Sequence, residues 1–211
     1  MRTMAERTSP LQNRVTPEGD IVALTARGLL MGNRGGRLHR PDFSLGRRRW
    51  SSRQWIACKL AFNGRQRQIM GPASYTELFF LDEATALAAG HRPCFECRRE
   101  RALAYRNAID PSGGLRAWQL DAQLDAERRN GRDKRMHPRA IDGLPDGAIY
   151  AESGRAFAIR GDAILPWAFS GYGAPSTRPR NQTVACLTPP TSLAALSAGY
   201  APEWSDRSVC S

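Results

Sequence analysis

Two cysteines separated by two residues, Cys94 and Cys97, lie where a helix is predicted to begin. If such a pair binds a metal ion together with ligands from other segments, the ion holds distant parts of the chain together. The spacing lets both thiolates face one ion. The helix N-terminus and the neighbouring arginines lower the pKa of the thiols, as a zinc ligand requires. A closed structural zinc site needs four ligands, so two more must come from other segments. The sequence therefore predicts a fold built around a metal site.

The remaining metal ligands are sought among the other cysteines and the histidines. Cys58, in the segment WIACK, is the best candidate for the third ligand, because Cys186 and Cys210 lie far along the chain. The candidates for the fourth ligand share a borderline donor nitrogen: they are His39, His91 and His137. Two other interpretations of the C-x2-C pair remain, a thioredoxin-like redox pair and two unrelated buried cysteines.

Length and composition restrict the class of protein. The chain has 211 residues, 41% of them hydrophobic, which is enough for one core and excludes a fully disordered protein. No run approaches the ~18 consecutive apolar residues of a membrane-spanning helix, so we expect no membrane partner. The N-terminal segment MRTMAERTSPLQNR lacks the apolar stretch of a secretory signal. We therefore expect a cytoplasmic location, in which the cysteines are thiols or metal ligands.

The positive charge of the chain is concentrated in one segment. The sequence has 31 Lys and Arg against 20 Asp and Glu, and residues 27–67 contain eleven basic side chains and one acid, Asp42. Guanidinium groups bind phosphate oxygens bidentately and keep their charge, so this run favours a polyanionic partner, nucleic acid first. An acidic membrane surface is less favoured because the run lacks the pattern of an amphipathic helix. A solvated face without a partner is the alternative.

The predicted nucleic-acid contacts are basic residues interleaved with two tryptophans, in a hairpin that fits a major groove or stacks on bases. They are Arg37, Arg40, Arg47, Arg48, Arg49, Arg53, Lys59, Arg65, Arg67, Trp50 and Trp55. The alternative for the tryptophans is that at least one of them belongs to the core.

Hydrophobic periodicity and turn signals predict a mixed α+β fold. Apolar segments over 21–33 and 47–62 indicate strands, and Asn63-Gly64 predicts a hairpin that pairs 65–70 with the second of them. Helices are predicted over about 83–89, 94–109, 115–131 and 192–199, the first of them capped by Asp82. The remaining predicted strands are a hairpin or meander over 147–169, turning at Ser153-Gly154, and a short strand over 183–188.

A family resemblance is carried by FFLDEATALAAGHRPCFECRRE, which resembles the second half of the metal-binding domain of Ada-type DNA alkylation-response proteins. Upstream, MGNRGGRLHRPDF is similar to the first half of related small zinc modules, with His39 at the histidine position. Phe43 stands where those modules have a cysteine, so the first ligand pair is altered. The resemblance covers about residues 28–100.

The resemblance implies one structural Zn²⁺, with His39, Cys94 and Cys97 as ligands and Cys58 in place of the missing cysteine. It implies a DNA partner in preference to RNA. Methyl transfer is not implied, because the acceptor cysteine belongs to the ligand pair that this chain lacks. The expected organisation is a polar lead-in (1–20), an Ada-like zinc module with a basic hairpin (21–110), and a helix with a small antiparallel sheet packed on it (111–211).

We therefore expect a zinc-binding protein that binds nucleic acid. The first alternative is a nucleic-acid-processing enzyme, such as a nuclease, a glycosylase or another DNA-damage or defence activity, with a structural zinc. His137 and Glu127 are then the candidates for acid–base catalysis, although a solvated helix end also explains them. The second alternative is a redox or zinc sensor that uses Cys58, Cys94 and Cys97.

Overall fold

The computed structural model describes residues 9–64, 71 and 74–206, and these form a mixed α+β structure, as predicted. The helices are α1 (Glu83–Ala88), α2 (Arg99–Ile109), α3 (Ala117–Arg128) and α4 (Pro190–Ser197). The strands are β1 (Gln12–Val15), β2 (Ile21–Ala23), β3 (Leu30–Asn33), β4 (Ile56–Cys58), β5 (Leu78–Phe80), β6 (Arg92–Pro93), β7 (Arg129–Asn130), β8 (Asp133–Lys134), β9 (His137–Ala140), β10 (Ile149–Glu152), β11 (Arg155–Arg160), β12 (Ala163–Ala168), β13 (Gly171–Tyr172), β14 (Ser176–Thr177) and β15 (Thr183–Cys186).

The first sheet has the strand order β2-β1-β5-β3-β4-β6. The register of its strands determines which side chains share a face of the sheet. Met31 of β3 pairs with Cys58 of β4 on one side and with Phe79 of β5 on the other, so these three side chains form one row. Side chains alternate across a strand. The neighbouring Ala57 and Leu78 therefore point to the opposite face, where they belong to the hydrophobic core.

The short helix α1 lies at the centre of the molecule. Asp82 caps it by accepting a hydrogen bond from the Thr85 amide at 2.9 Å. All six of its residues are buried, and its small side chains permit close approach from several directions. Ala86 packs in the core of the first sheet, Ala84 in the core of the second, and Leu87 against α2, α3 and α4.

The second sheet has the order β13-β12-β11-β10-β15-β9, with β14 paired to β12. Its centre is an antiparallel hairpin of β10 and β11 that turns at Ser153 and Gly154, as the sequence predicts. Both turn residues have a positive φ, which a tight hairpin of this kind requires. β7 and β8 form a separate two-stranded ribbon after α3.

The structure corrects several predicted boundaries. α2 begins at Arg99 and not at residue 94, because residues 95–98 form a turn that directs the cysteines inward. α3 ends at Arg128, since Arg129 enters β7. The predicted lead-in contains a strand, β1, which pairs with β2 and β5. The long predicted strand over 47–62 is regular at residues 56–58, and its predicted partner 65–70 lies outside the described residues.

Buried ion pairs attach the turn of Cys94 and Cys97 to the rest of the fold. Arg98 lies 2.9 Å from Glu83 at the start of α1, and both side chains are at most 1% exposed. Arg92 of β6 forms two hydrogen bonds to Asp121 of α3, at 2.8 and 2.9 Å. The flanks of the C-x2-C pair are therefore fixed by charge as well as by packing.

No helix in the described ranges has both the length and the apolar character needed to cross a bilayer.

Candidate metal centre

Three cysteines converge at the edge of the first sheet. The sulfur atoms of Cys58, Cys94 and Cys97 all lie within 4.8 Å of one another. Strand pairing brings them together: β6 runs parallel to β4, and the Cys94 amide donates a hydrogen bond to the Ala57 carbonyl at 2.9 Å. Pro93 pairs with Ala57, so Cys94 enters the turn beside Cys58. The predicted grouping of these three cysteines is therefore present in the fold.

The geometry and chemistry of the three sulfurs fit a tetrahedral thiolate metal site. Zn–S bonds of about 2.3 Å place the sulfurs about 3.8 Å apart, within the spacing observed. Hydrogen bonds from Cys58 and Cys97 lower the pKa of the Cys94 thiol, and the same contacts raise the pKa of the other two thiols. The Glu96 amide also donates to the Cys94 sulfur, at 3.4 Å, so Cys94 is the thiol whose deprotonated form the surroundings favour most.

His39, the histidine position of the family resemblance, is buried away from the cysteines. Its Nδ1 lies 3.2 Å from the hydroxyl of Thr76, and its Nε2 lies 3.1 Å from the carbonyl oxygen of Gln12. The structure therefore does not bring His39 to the three sulfurs. It ties the connection after β3 to β1 and to the segment before β5.

The other two candidate histidines also lie elsewhere. His91 is fully buried, accepts a hydrogen bond from Arg34 at 3.3 Å and packs between two aromatic rings. Burial lowers the pKa of His91 well below its usual value, and the positive charges around it lower it further. His137 contacts the backbone oxygen of Glu127 at 2.9 Å. Among the described residues, no further His, Cys, Asp or Glu atom completes the cluster.

A cavity of about 520 Å³ adjoins the three cysteines. Its floor is the non-core face of β3, β4 and β5, and its apolar wall is formed by Met31, Ile56, Leu60, Phe62 and Phe79. Two nearly buried polar side chains, Asn33 and Glu77, also line it. The sequence analysis did not identify this cavity, although the alternation of Glu77, Leu78 and Phe79 signals that the first and third share a face.

The basic residues of the predicted nucleic-acid site are mostly on the surface. We define the basic segment as its seven exposed members, which are Arg37, Arg40, Arg47, Arg48, Arg49, Arg53 and Lys59. Six of them lie in the irregular connection that joins the antiparallel strands β3 and β4. Lys59 directly follows Cys58 and lines the cavity. Arg65 and Arg67 lie outside the described residues.

Trp55 belongs to the core and not to an exposed stacking surface. It is 5% exposed, and the guanidinium groups of Arg34 and Arg128 lie over its ring at 3.8 and 3.9 Å. Gly90, with φ of +88°, makes room for this stack, because a Cβ there would lie 2.7 Å from Arg128. Trp50 is half-buried, with Arg129 at 4.6 Å from its ring.

The two candidate catalytic residues have structural contacts. The carboxylate of Glu127 accepts two hydrogen bonds of 2.8 Å from Thr191, one from its amide and one from its hydroxyl. These contacts satisfy donors at the start of α4, where a negative charge is stabilising. His137 contacts the backbone of the same residue. Neither side chain lines the cavity beside the cysteines.

Comparison with known protein families, with curated protein sequences and with solved structures finds no match to this chain. The geometry of the cysteine cluster, its cavity and the basic segment is therefore the basis for a function.

Proposed function

We propose that this chain binds one zinc ion through Cys58, Cys94 and Cys97 and binds nucleic acid through the basic segment. The observation that carries the proposal is the convergence of three cysteine sulfurs, within 4.8 Å of one another, from segments 36 residues apart. A metal bound there would fix the end of β4 to the start of α2. Lys59 of the basic segment directly follows Cys58, and Arg53 lies five residues before it, so the ion would also order this part of the nucleic-acid surface.

Zinc is the metal that this donor set favours. Thiolate sulfur is a soft ligand, which selects zinc, copper(I) or iron–sulfur clusters over magnesium and calcium. Zinc accepts a tetrahedral arrangement with three or four thiolates and has no redox chemistry of its own. Its role in the proposal is structural, since Cys58 and Cys94 belong to different elements that the ion would cross-link.

The case for nucleic acid rests on exposed charge. The seven residues of the basic segment lie between residues 37 and 59, and Asp42 is the acid among them. Arg47, Arg48 and Arg49 are consecutive and exposed, so they present three guanidinium groups to a phosphate backbone. Phosphate contacts give affinity without sequence preference. We propose DNA as the partner because the sequence resembles Ada-type domains.

Replacing Arg47, Arg48 and Arg49 together with alanine is expected to weaken DNA binding by at least about tenfold at physiological salt. The slope of log affinity against log salt should become shallower by about 2 to 3, because each lost phosphate contact removes ~0.9. Fluorescence anisotropy of a labelled duplex, titrated at several salt concentrations, measures both quantities.

The matched control for this experiment is a triple variant with Arg132, Arg139 and Arg155 replaced by alanine. These side chains are also exposed, and their loss changes the net charge equally. Binding should fall much less in the control. Equal losses in the two variants would show that only the overall charge matters, and tighter binding to an RNA duplex of the same sequence would contradict the DNA assignment.

A further inference from the structure

The cavity beside the cysteines shares its floor with the metal site. Cys58 and Ile56 of β4, Met31 and Asn33 of β3, and Phe79 of β5 project from one face of the sheet. The opposite face is closed by the core. A metal held by the three sulfurs would therefore border a space of about 520 Å³, within the range of small-molecule sites.

A metal ion held by these three cysteines would have one open coordination position. Tetrahedral zinc takes four ligands, and the described residues supply three. In the sequence outside the described ranges, the remaining residues of the ligating types His, Cys, Asp and Glu are Glu6 and Cys210. Three protein ligands next to a cavity are the arrangement by which metal sites accept a ligand from outside the protein.

We propose that this cavity binds a flat heteroaromatic ring, one nitrogen of which completes the coordination of the metal. The proposal rests on the metal of the proposed function. Phe62 and Phe79 contribute aromatic side chains to the lining, and Met31 and Ile56 contribute aliphatic ones. The Arg14 guanidinium lies over the Phe79 ring at 4.9 Å. The Glu77 carboxylate, 3% exposed, lines the same cavity, and in the proposal it accepts a hydrogen bond from an N–H group of the ring.

The chemistry of the polar groups matches a heterocycle better than an alkyl chain. Asn33 accepts a hydrogen bond from the Gly35 amide at 3.1 Å, and Glu77 accepts one from the Ser74 hydroxyl at 2.9 Å, so both nearly buried side chains are held in place. The other polar side chains of the lining are Lys59, Tyr75 and Glu96. A ring with one unprotonated nitrogen and one N–H group has a partner for each of them, the metal for the nitrogen and the Glu77 carboxylate for the N–H. Such a ring is either a free base or a base of a bound nucleic-acid strand, which the experiment distinguishes.

The test uses the full chain with Co²⁺ in place of zinc, because the visible absorption of Co²⁺ reports its ligands directly. Benzimidazole is expected to change the Co²⁺ bands, with an affinity about tenfold higher than that of imidazole, because its second ring is buried against the apolar wall. In 1-methylbenzimidazole the metal-binding nitrogen is kept and the N–H is lost. It should bind several-fold more weakly than benzimidazole, and this comparison needs no variant.

Two variants test whether the ring binds inside this cavity. Phe62→Ala should reduce the preference for benzimidazole over imidazole to less than about threefold, because the aromatic wall is lost. Trp118→Ala is the matched control, since Trp118 is 71% exposed and does not line the cavity. The control should keep the full preference. Equal effects of the two variants would overturn the proposal.

The remaining outcomes separate this proposal from the proposed function. Protein without bound metal, measured by elemental analysis of the same sample, contradicts the proposed function. Bound metal with bands that neither ring changes overturns the cavity proposal alone. A change in the Co²⁺ bands caused by Cys210→Ser in the absence of any added ring would also overturn the cavity proposal, because Cys210 would then be the fourth ligand of the metal. If the base comes from a strand, a single-stranded oligonucleotide changes the bands in a salt-dependent way, and if it is free, adenine alone does.

Discussion

Cys94→Ser is expected to reduce the zinc content of the protein from about one ion per chain to less than about a tenth. Cys94 is the sulfur that both other cysteines contact, and the Glu96 amide supports its thiolate. Serine cannot supply a soft ligand, so we expect the metal affinity to fall by more than about 100-fold. Stability should fall by several kcal/mol, because metal binding free energy is also folding free energy. Elemental analysis and urea unfolding of protein purified without chelators measure both effects.

Cys186→Ser is the matched control for the metal experiment. Cys186 is buried in β15, where its thiol lies 3.6 Å from the carbonyl oxygen of Ile149, and it does not belong to the cluster. This variant should keep its zinc even if it loses some stability. Wild-type protein without zinc would contradict the metal site. Full zinc content in Cys94→Ser would show that other residues hold the ion.

Glu83→Gln is expected to destabilise the fold by about 3 kcal/mol, because Arg98 and Arg101 lose their buried carboxylate partner and keep only the half-exposed carboxylate of Glu203. Glu83 is fully buried, and its oxygens lie 2.9 Å from Arg98 and 2.6 Å from Arg101. The Tyr200 hydroxyl also donates to it at 2.5 Å. The same residue therefore ties the start of α2, and hence the C-x2-C turn, to α1 and to the C-terminal segment. Chemical unfolding followed by circular dichroism measures the loss.

Glu100→Gln, on the exposed side of α2, is the control and should change stability by less than about 0.5 kcal/mol.

The pH dependence of the free energy of unfolding gives a second measurement of the contribution of Glu83. Burial raises the pKa of Glu83, but Arg98 outweighs it and holds the pKa below its usual 4.5. The stabilisation from Glu83 is thus complete above about pH 4.5 and is lost as the pH falls through the lower folded value. If Glu83→Gln lowers the free energy of unfolding by no more than Glu100→Gln does, the buried ion pair of Glu83 and Arg98 makes no net contribution to stability.

The sequence predicted the regular elements best where local signals agree. Asp82 and Gly90 predict a helix over about 83–89, and α1 occupies Glu83–Ala88. Ser153-Gly154 predicts the hairpin of β10 and β11 in the correct place. In both cases a capping residue or a turn residue is adjacent to the element in the chain, so the physical cause is local.

Features that depend on tertiary contacts were not predictable from the sequence. The start of α2 at Arg99 depends on the turn that directs the cysteines inward. The burial of Arg34 and Arg128 depends on the Trp55 ring that both guanidinium groups contact, and arginines in a basic sequence give no sign of it. The cavity combines strands β3, β4 and β5, whose register is set by long-range pairing.

The alternation of faces in β4 implies unequal tolerance of insertions and deletions during the evolution of this chain. The connection between β3 and β4, which carries Arg47, Arg48 and Arg49, is irregular and exposed, so its length can vary without altering the register of β4. A single-residue shift within β4 would exchange Cys58 with Ala57, placing the sulfur in the core and a methyl group beside Cys94 and Cys97. We therefore expect homologues to differ in loop length immediately before β4 and to keep β4 itself free of gaps.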